Sequence, residues 1–204
     1  MMADEPADLP ITGIAFRLSE AADASMQEPY PPGIFAGPPR QAAVLLPMFL
    51  QAGEWRLLFI RRAQQAGDRH SGEVAFPGGH LKPGETAQAA ALREALEEIA
   101  LPPGEVELLG SLPPYRTLGN HRVTPWVGRI AWPQPLHPDP AEVSRVFSIP
   151  LVWLADPAHH RVRERELPQF GVKLPVVYFD EYQGELLWGV SARITLTLIR
   201  VLGL

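Results

Sequence analysis

The sequence predicts an α/β fold in which a mixed β-sheet lies between helices. Apolar runs of strand length stand on both sides of a central amphipathic helix, and a second amphipathic helix closes the chain. Of the 204 residues, 46% are hydrophobic and 20% are charged, which is enough apolar material for a core with a helix-covered sheet. One domain is the simplest organisation for this length.

The first 40 residues are expected to form a proline-rich N-terminal arm, followed by the main domain over residues 41–204. Prolines are frequent in this segment, with a dense run over residues 29–39. A short helix fits residues 14–22. We expect the rest of the arm to lie on the surface.

The next segment predicts a β-hairpin followed by the central helix. Residues 42–50 and 55–62 are apolar runs joined by a short loop that contains Gly53. A polar loop and a glycine-rich turn come next. The central helix is expected over residues 86–99, and Pro102-Pro103-Gly104 would stop it.

The C-terminal half is expected to supply further strands and the closing helix. The expected strands are residues 106–112, 121–132, 174–180 and 184–190. Val143, Val146 and Phe147 suit a helical turn ahead of a short strand. Residues 191–204 read as an amphipathic helix.

The central helix combines an apolar stripe with a cluster of carboxylates. Leu92, Leu96 and Ile99 fall on one side, which predicts the face that packs on the core. The carboxylates on the other side are Glu94, Glu97 and Glu98. They repel one another and lie in the half of the helix where its dipole favours cations. An acidic face turned to water is the ordinary explanation, but a divalent cation such as Mg²⁺, Mn²⁺ or Ca²⁺ would relieve the repulsion.

The turn before this helix has the composition of a ligand-binding loop. Gly78-Gly79 allow positive φ and a close approach of the backbone to a ligand. Thr86 stands where a helix cap is favoured. Backbone groups of such a loop, beside carboxylates, could complete a metal shell and hold phosphate oxygens.

Composition excludes several classes of function. A net charge of −5 provides no general attraction for nucleic acid. The absence of cysteine excludes disulfides, thiolate metal sites and a cysteine nucleophile. The N-terminus is acidic and proline-containing, unlike a signal peptide, and the longest apolar run is too short to span a bilayer. We expect a soluble cytoplasmic protein without nucleic-acid or membrane partners.

The glycine turn and the central helix together resemble the sequence box of the Nudix hydrolases. The matching residues are Gly79, Glu85, Arg93, Glu94, Glu97, Glu98 and Leu101. Two positions depart from the box: Ala95 is small at an aliphatic position, and Ala100 replaces a glycine. The second departure suggests that the helix does not end through a left-handed residue. The resemblance implies an α/β/α sandwich and a metal-dependent pyrophosphatase.

The segment upstream of the box resembles the signature of the coenzyme A pyrophosphatase subfamily. It reads LLFIRRAQQAGDRHSGEVAFPGG over residues 57–79. His70, Gly72 and the final FPGG fit, whereas Asp68 occupies the second arginine position with Arg69 one place later. Downstream segments also resemble this subfamily. The implied reaction converts coenzyme A to 4′-phosphopantetheine and adenosine 3′,5′-bisphosphate.

The resemblance also implies roles for the box residues. Glu94 and Glu98 would bind Mg²⁺ or Mn²⁺, with Glu97 contributing and the Gly79 carbonyl as a further ligand. Arg93 would orient the glutamates, pairing with Glu85. We favour Glu97 as the base that deprotonates water, and Glu142 competes with it.

Cationic residues near the signature are the candidates for holding the substrate phosphates. They are Arg61, Arg62, Arg69, His70 and Arg116. Arg62 and Arg69 are preferred because they flank the signature loop. Each could equally be a solvated loop charge.

Three alternatives remain open from the sequence. The enzyme could act on ADP-ribose, NADH or a capped or oxidised nucleotide, because the box handles only the diphosphate and the metal. It could be a non-catalytic module that senses a ligand, although no charged box residue is missing. A homodimer is also left open. Trp126, Trp153 and Trp188 are expected in the core.

Overall fold

A computed structural model describes residues 11–22, 30–31, 33–64, 67, 71–168 and 171–204. The helices within these ranges are α1 (Ile11–Ala22), α2 (Ala87–Ile99), α3 (Leu151–Ala155) and α4 (Gly189–Leu202). The first five strands are β1 (Arg40–Gln51), β2 (Glu54–Arg62), β3 (Val74–Ala75), β4 (Gly78–His80) and β5 (Val106–Ser111). The others are β6 (Tyr115–Arg116), β7 (His121–Ile130), β8 (Val143–Pro150), β9 (His160–Leu167) and β10 (Val172–Phe179).

Strand β1 lies at the centre of a mixed sheet. The main strand order is β3-β2-β1-β7-β5, with β4 added beside β1, β6 beside β7 and β8 beside β2. Strand β1 runs antiparallel to β2 and parallel to β7. Ala52 and Gly53, with φ of 51° and 81°, form the two-residue turn between β1 and β2. Positive φ at both central residues is the geometry that matches strand twist, so the predicted hairpin is confirmed.

Helices cover both faces of the sheet, which confirms the predicted α/β/α sandwich. On one face, α2 packs through small residues onto apolar side chains of β1, β2 and β7. On the other face, side chains of α1, α3 and α4 form a second core with the same strands. The strand β1 therefore contributes alternate side chains to both cores.

Helix α1, which covers the short helix expected over residues 14–22, is part of the core. Ile14 and Leu18 are both 0% exposed and belong to the core that α4 and β5 share. A Cβ added to Gly110 of β5 would lie 2.9 Å from the Leu18 Cβ, so the glycine permits the close approach. The division of the chain at residue 40 stays a prediction.

The region after residue 140 differs from the prediction in three places. The segment expected to begin with a helical turn is strand β8 first and helix α3 second, because the backbone of β8 pairs along β2. The mixed-charge stretch at residues 161–166, for which no strand was predicted, belongs to β9, which pairs with β10 in a separate two-stranded sheet. Residues 184–190 are not a strand and make only isolated bridges, such as Tyr178 with Trp188.

Within the described ranges, no helix has both the length and the apolar character needed to cross a bilayer. Trp126 and Trp153 are partly buried against the two cores, in line with their expected packing. Trp188 belongs to neither core.

Candidate active site

Helix α2 carries the carboxylates, and its two ends are fixed by local chemistry. The Thr86 hydroxyl accepts a hydrogen bond from the Ala89 backbone N–H at 3.1 Å, which caps the first turn. At the other end, Ala100 has φ 54° and ψ 34°, in the left-handed region. Its N–H donates to the Leu96 carbonyl, and the Leu101 N–H donates to the Ala95 carbonyl. The helix therefore does end through a left-handed residue, with alanine where the family box has glycine.

The buried face of α2 agrees only in part with the predicted stripe: Ile99 is 0% exposed and Leu92 packs against the core, but Leu96 is not buried. Leu96 is 44% exposed, whereas Ala91 and Ala95 are 0% exposed. The small alanines allow the helix to approach the sheet closely. Glu98 lies on the same buried face as these alanines. Sequence periodicity placed Leu96 on the buried face, whereas small residues beside the predicted stripe are buried in its place.

Glu98 is a buried carboxylate at the inner end of the site. Its side chain is 2% exposed, and Oε2 accepts a hydrogen bond from the Gly78 N–H at 3.0 Å. Burial raises the pKa of Glu98 to about 8, and the negative charges of Glu94 and Glu142 add to the shift. The Gly78 amide and Arg62 oppose it. A divalent cation would compensate the charge of such a desolvated acid.

Arg93 organises the other acids of the box. Its Nε and Nη2 donate to the two oxygens of Glu85 at 2.8 and 3.0 Å, so the expected pair is bidentate. Nη1 donates at 2.8 Å to both Glu94 Oε1 and Glu97 Oε2. The hydrogen bonds from Arg93 hold the pKa of Glu85 down at about 2. Arg93 thus fixes the orientation of three carboxylates from one guanidinium.

Gly78 and Gly79 form strand β4 rather than an irregular loop, and neither has positive φ. They pair with Val44 and Ala43 of β1. A Cβ on Gly78 would lie 2.4 Å from the Ala43 carbonyl oxygen, and one on Gly79 would lie 2.4 Å from Glu94 Oε1. Gly78 is therefore required for close approach to β1, and a side chain at Gly79 would displace the Glu94 carboxylate, which corrects the expected role of positive φ.

The donors gathered here fit a hard divalent cation. Glu94 and Glu98 present carboxylate oxygens, and the Gly79 backbone lies against Glu94 with no side chain between them. Oxygen donors without sulfur or histidine suit Mg²⁺ or Mn²⁺. In the part of the chain that the structure describes, no three acidic or histidine side chains are grouped for a metal. The fit therefore rests on two carboxylates and the backbone.

A cavity of about 880 Å³ opens from these carboxylates. The predicted site residues that line it are Gly79, Glu94, Glu98, Arg62 and Glu142. Glu73 of the signature segment also lines it. The volume is within the range of pockets that bind cofactor-sized molecules.

Other predicted residues lie elsewhere. Glu97 is not among the cavity residues, and its side chain, 49% exposed, pairs with Arg93 and with Lys82 Nζ at 3.4 Å. Arg61 also lies outside the cavity lining, with Nη1 3.6 Å from Glu185. The Arg116 guanidinium lies 4.0 Å over the Phe35 ring. Arg69 and His70 lie outside the described residues.

Sequence reasoning missed a second set of cavity residues far along the chain. Arg165 of β9, Trp188 and Arg193 of α4 line the same cavity as the carboxylates. The signal was present in RVRERE, where arginines at alternate positions mark one face of a strand. Sequence reasoning also missed Glu185, which is 3% exposed and accepts a hydrogen bond from Arg145 Nη1 at 2.8 Å.

Comparison with known proteins gives consistent matches. The family profile described as NUDIX domain matches residues 39–170. A protein of Photorhabdus laumondii, described as "Uncharacterized Nudix hydrolase NudL", is 39% identical over 171 residues, which cover 83% of this chain and 88% of that protein. A protein of Pectobacterium atrosepticum with the same description is 40% identical over 156 residues, covering 76% of this chain and 79% of the relative.

A solved structure shows the same fold. The crystal structure of a MutT/nudix family protein from Enterococcus faecalis superposes with a TM-score of 0.52 and 16% sequence identity. The match covers 100% of this chain and 76% of that one. At 16% sequence identity, this similarity shows only that the two proteins share a fold.

Proposed function

This chain belongs to the Nudix family, and we propose that the diphosphate it hydrolyses is that of coenzyme A or a coenzyme A derivative. Nudix hydrolases are pyrophosphatases that act on nucleoside diphosphate derivatives, generally with divalent metals. The proposed products are 4′-phosphopantetheine and adenosine 3′,5′-bisphosphate. One observation carries the choice of substrate: Arg62 and Glu73, from the coenzyme A pyrophosphatase-like segment, line the cavity that also contains Glu94 and Glu98.

The proposed metal ligands are Glu94, Glu98 and the Gly79 carbonyl, with Glu97 contributing. When bound, Mg²⁺ or Mn²⁺ would neutralise phosphate charge and lower the pKa of a coordinated water. Arg93 holds Glu94 in place through the 2.8 Å hydrogen bond and need not touch substrate. Glu98 is buried, so a bound cation would favour the charged form of its carboxyl, which is the form that binds metal.

The catalytic base is assigned between Glu97 and Glu142. A base must lie within hydrogen-bond reach of the attacking water, directly or through one water. Glu142 lines the cavity and contributes to the raised pKa of Glu98, which supports its proximity to the reacting atoms. Glu97 would have to leave Arg93 and Lys82 to reach the same space. Turnover that falls further in Glu142→Gln than in Glu97→Gln would support Glu142.

Among the signature cations, Arg62 has the most support as a phosphate ligand because it lines the cavity. Arg69 and His70 remain proposals from the resemblance. The proposal for Arg61 is weakened by its ion pair with the buried Glu185, which points to a structural role.

A product assay tests the substrate. Purified protein is incubated with Mg²⁺ or Mn²⁺ and with coenzyme A, ADP-ribose, NADH or 8-oxo-dGTP, and the products are separated by chromatography. We expect 4′-phosphopantetheine and adenosine 3′,5′-bisphosphate from coenzyme A at the highest kcat/KM. A higher kcat/KM for ADP-ribose or NADH would replace coenzyme A with that substrate, and no turnover of any compound would favour a ligand-sensing module. The cytoplasmic location and a homodimer stay predictions.

A further inference from the structure

The hairpin of β9 and β10 forms one wall of the cavity and turns an arginine-bearing face towards it. Alternation along β9 puts Arg161, Arg163 and Arg165 on the same side of the strand. The register pairs Arg165 with Leu174 of β10. Both of these residues line the cavity, together with Trp188.

Aromatic rings hold these arginines in position. Tyr178 and Trp188 stack with centroids 5.7 Å apart and an interplanar angle of 8°. The Arg163 guanidinium lies 5.7 Å from the Tyr178 centroid, and that of Arg165 lies 5.6 Å from the Trp188 centroid. A guanidinium stacked on a ring keeps its N–H groups available at the edge, where they can bind an anion.

The two cavity arginines on this side differ in ion pairing from the arginines next to them. Within the described ranges, neither Arg165 nor Arg193 makes an ion pair, although both line the cavity. The neighbouring Arg161 is paired with Asp180, and Arg145 is paired with Glu185. The cavity thus has an acidic end at Glu94 and Glu98 and uncompensated positive charge on another wall.

We propose that Arg165 and Arg193 form a subsite for a phosphate monoester on the nucleoside part of the substrate, with Trp188 positioning Arg165. The inference rests on the proposed function for its substrate class, a nucleoside diphosphate derivative with an additional phosphate on its ribose. The acidic end would hold the diphosphate, and the arginine wall would hold the additional phosphate. In coenzyme A, that group is the 3′-phosphate.

The test compares the binding of adenosine 3′,5′-bisphosphate and of adenosine 5′-monophosphate by calorimetry in the presence of chelator. Wild-type protein is expected to prefer the bisphosphate. Arg165→Gln should weaken bisphosphate binding about tenfold, as expected for a charge-assisted hydrogen bond at an accessible site, and change monophosphate binding less than about twofold. Arg193→Gln should act in the same direction, and Arg165→Lys should restore part of the loss.

Arg163→Gln is the matched control. Arg163 lies on the same strand and the same face as Arg165 and also contacts an aromatic ring, that of Tyr178, but it does not line the cavity. Equal weakening by Arg163→Gln, or equal affinity of the wild-type protein for both nucleotides, would overturn the proposal. The binding measurement does not depend on turnover. If coenzyme A is not hydrolysed but the bisphosphate preference disappears in Arg165→Gln, the substrate assignment fails while the subsite stands.

Discussion

At the scale of single residues, Glu98 combines burial with an acidic group in a way that makes stability depend on pH. The folded protein holds a proton on Glu98 up to about pH 8, whereas the unfolded chain releases it near the ordinary value of 4.5. In metal-free protein this raised pKa stabilises the fold below pH 4.5, and the contribution is lost as the pH rises to 8.

Glu98→Gln should remove this pH dependence. We expect the unfolding free energy of metal-free wild type to fall relative to the variant by roughly 4 kcal/mol between pH 5 and pH 8.5. Urea unfolding with chelator at both pH values measures it. Glu107→Gln is the control, since Glu107 pairs with Arg129 on the surface. Parallel curves for wild type and Glu98→Gln would contradict the assignment of Glu98 as a buried acid.

Ala100 holds a conformation that an alanine adopts at a cost. With φ 54°, its Cβ is crowded in the left-handed region, where glycine is unstrained. Ala100→Gly should therefore stabilise the protein by about 1 kcal/mol. Ala89→Gly, on an exposed position inside the same helix, should instead destabilise it by about 1 kcal/mol. Thermal unfolding of the two variants should give shifts of opposite sign, and shifts of the same sign would refute the explanation.

At the scale of elements, α1 is the helix whose role the sequence understated. Leu18→Ala should cost roughly 3 kcal/mol of unfolding free energy, because it opens a cavity between α1, β5 and α4. Phe16 lies on the exposed side of the same helix, with 62% of its surface exposed. Phe16→Ala should therefore change the unfolding free energy by less than about 0.5 kcal/mol. Urea denaturation of both variants checks the difference. Small and equal effects would contradict the packing of α1 in the core.

Local sequence patterns predicted the elements that are bounded by clear turn or cap residues. They failed for strands that form only by pairing with a distant strand. The β1–β2 hairpin and the start of α2 follow from Gly53 and Thr86, whose chemistry acts within a few residues. Strand β8 could not be recognised locally because its hydrogen bonds go to β2, far away in the chain. Strand β9 is mostly charged and exposed, so it lacks the apolar alternation that normally marks a strand.

At the scale of the whole molecule, metal binding and folding should be thermodynamically linked. A ligand that binds only the folded state stabilises it by about 2.7 kcal/mol at one hundred times its dissociation constant. We expect Mn²⁺ to raise the melting temperature of the wild-type protein by roughly 5–10 °C at saturation. Glu98→Gln should respond weakly and lose about 100-fold or more of the metal-dependent turnover.

The control for this linkage is Glu107→Gln, which should respond to Mn²⁺ like the wild type. Chelator should abolish hydrolysis without unfolding the protein, and added Mg²⁺ or Mn²⁺ should restore it. Turnover that is indifferent to chelator would contradict the proposed metal site.

The acidic half of the site was predictable from sequence, and the basic half was not. Glu94, Glu98 and Gly79 lie within one short segment, so helical spacing and the family box predict that they lie close together. Arg165 and Arg193 reach the same cavity only through the packing of the β9–β10 hairpin and α4. Their contribution depends on tertiary contacts between distant segments, and no local pattern encodes that.

The pairing of Gly78 and Gly79 with Val44 and Ala43 has a consequence for protein engineering. A graft of residues 76–98 onto another scaffold would carry the glutamates but leave behind the neighbouring strand that aligns the glycines. The recipient would need its own strand at the same register. That strand would have to place a backbone carbonyl against Gly78, as the Ala43 carbonyl does here. The smallest transferable unit of this site is therefore the helix, the glycine strand and β1 taken together.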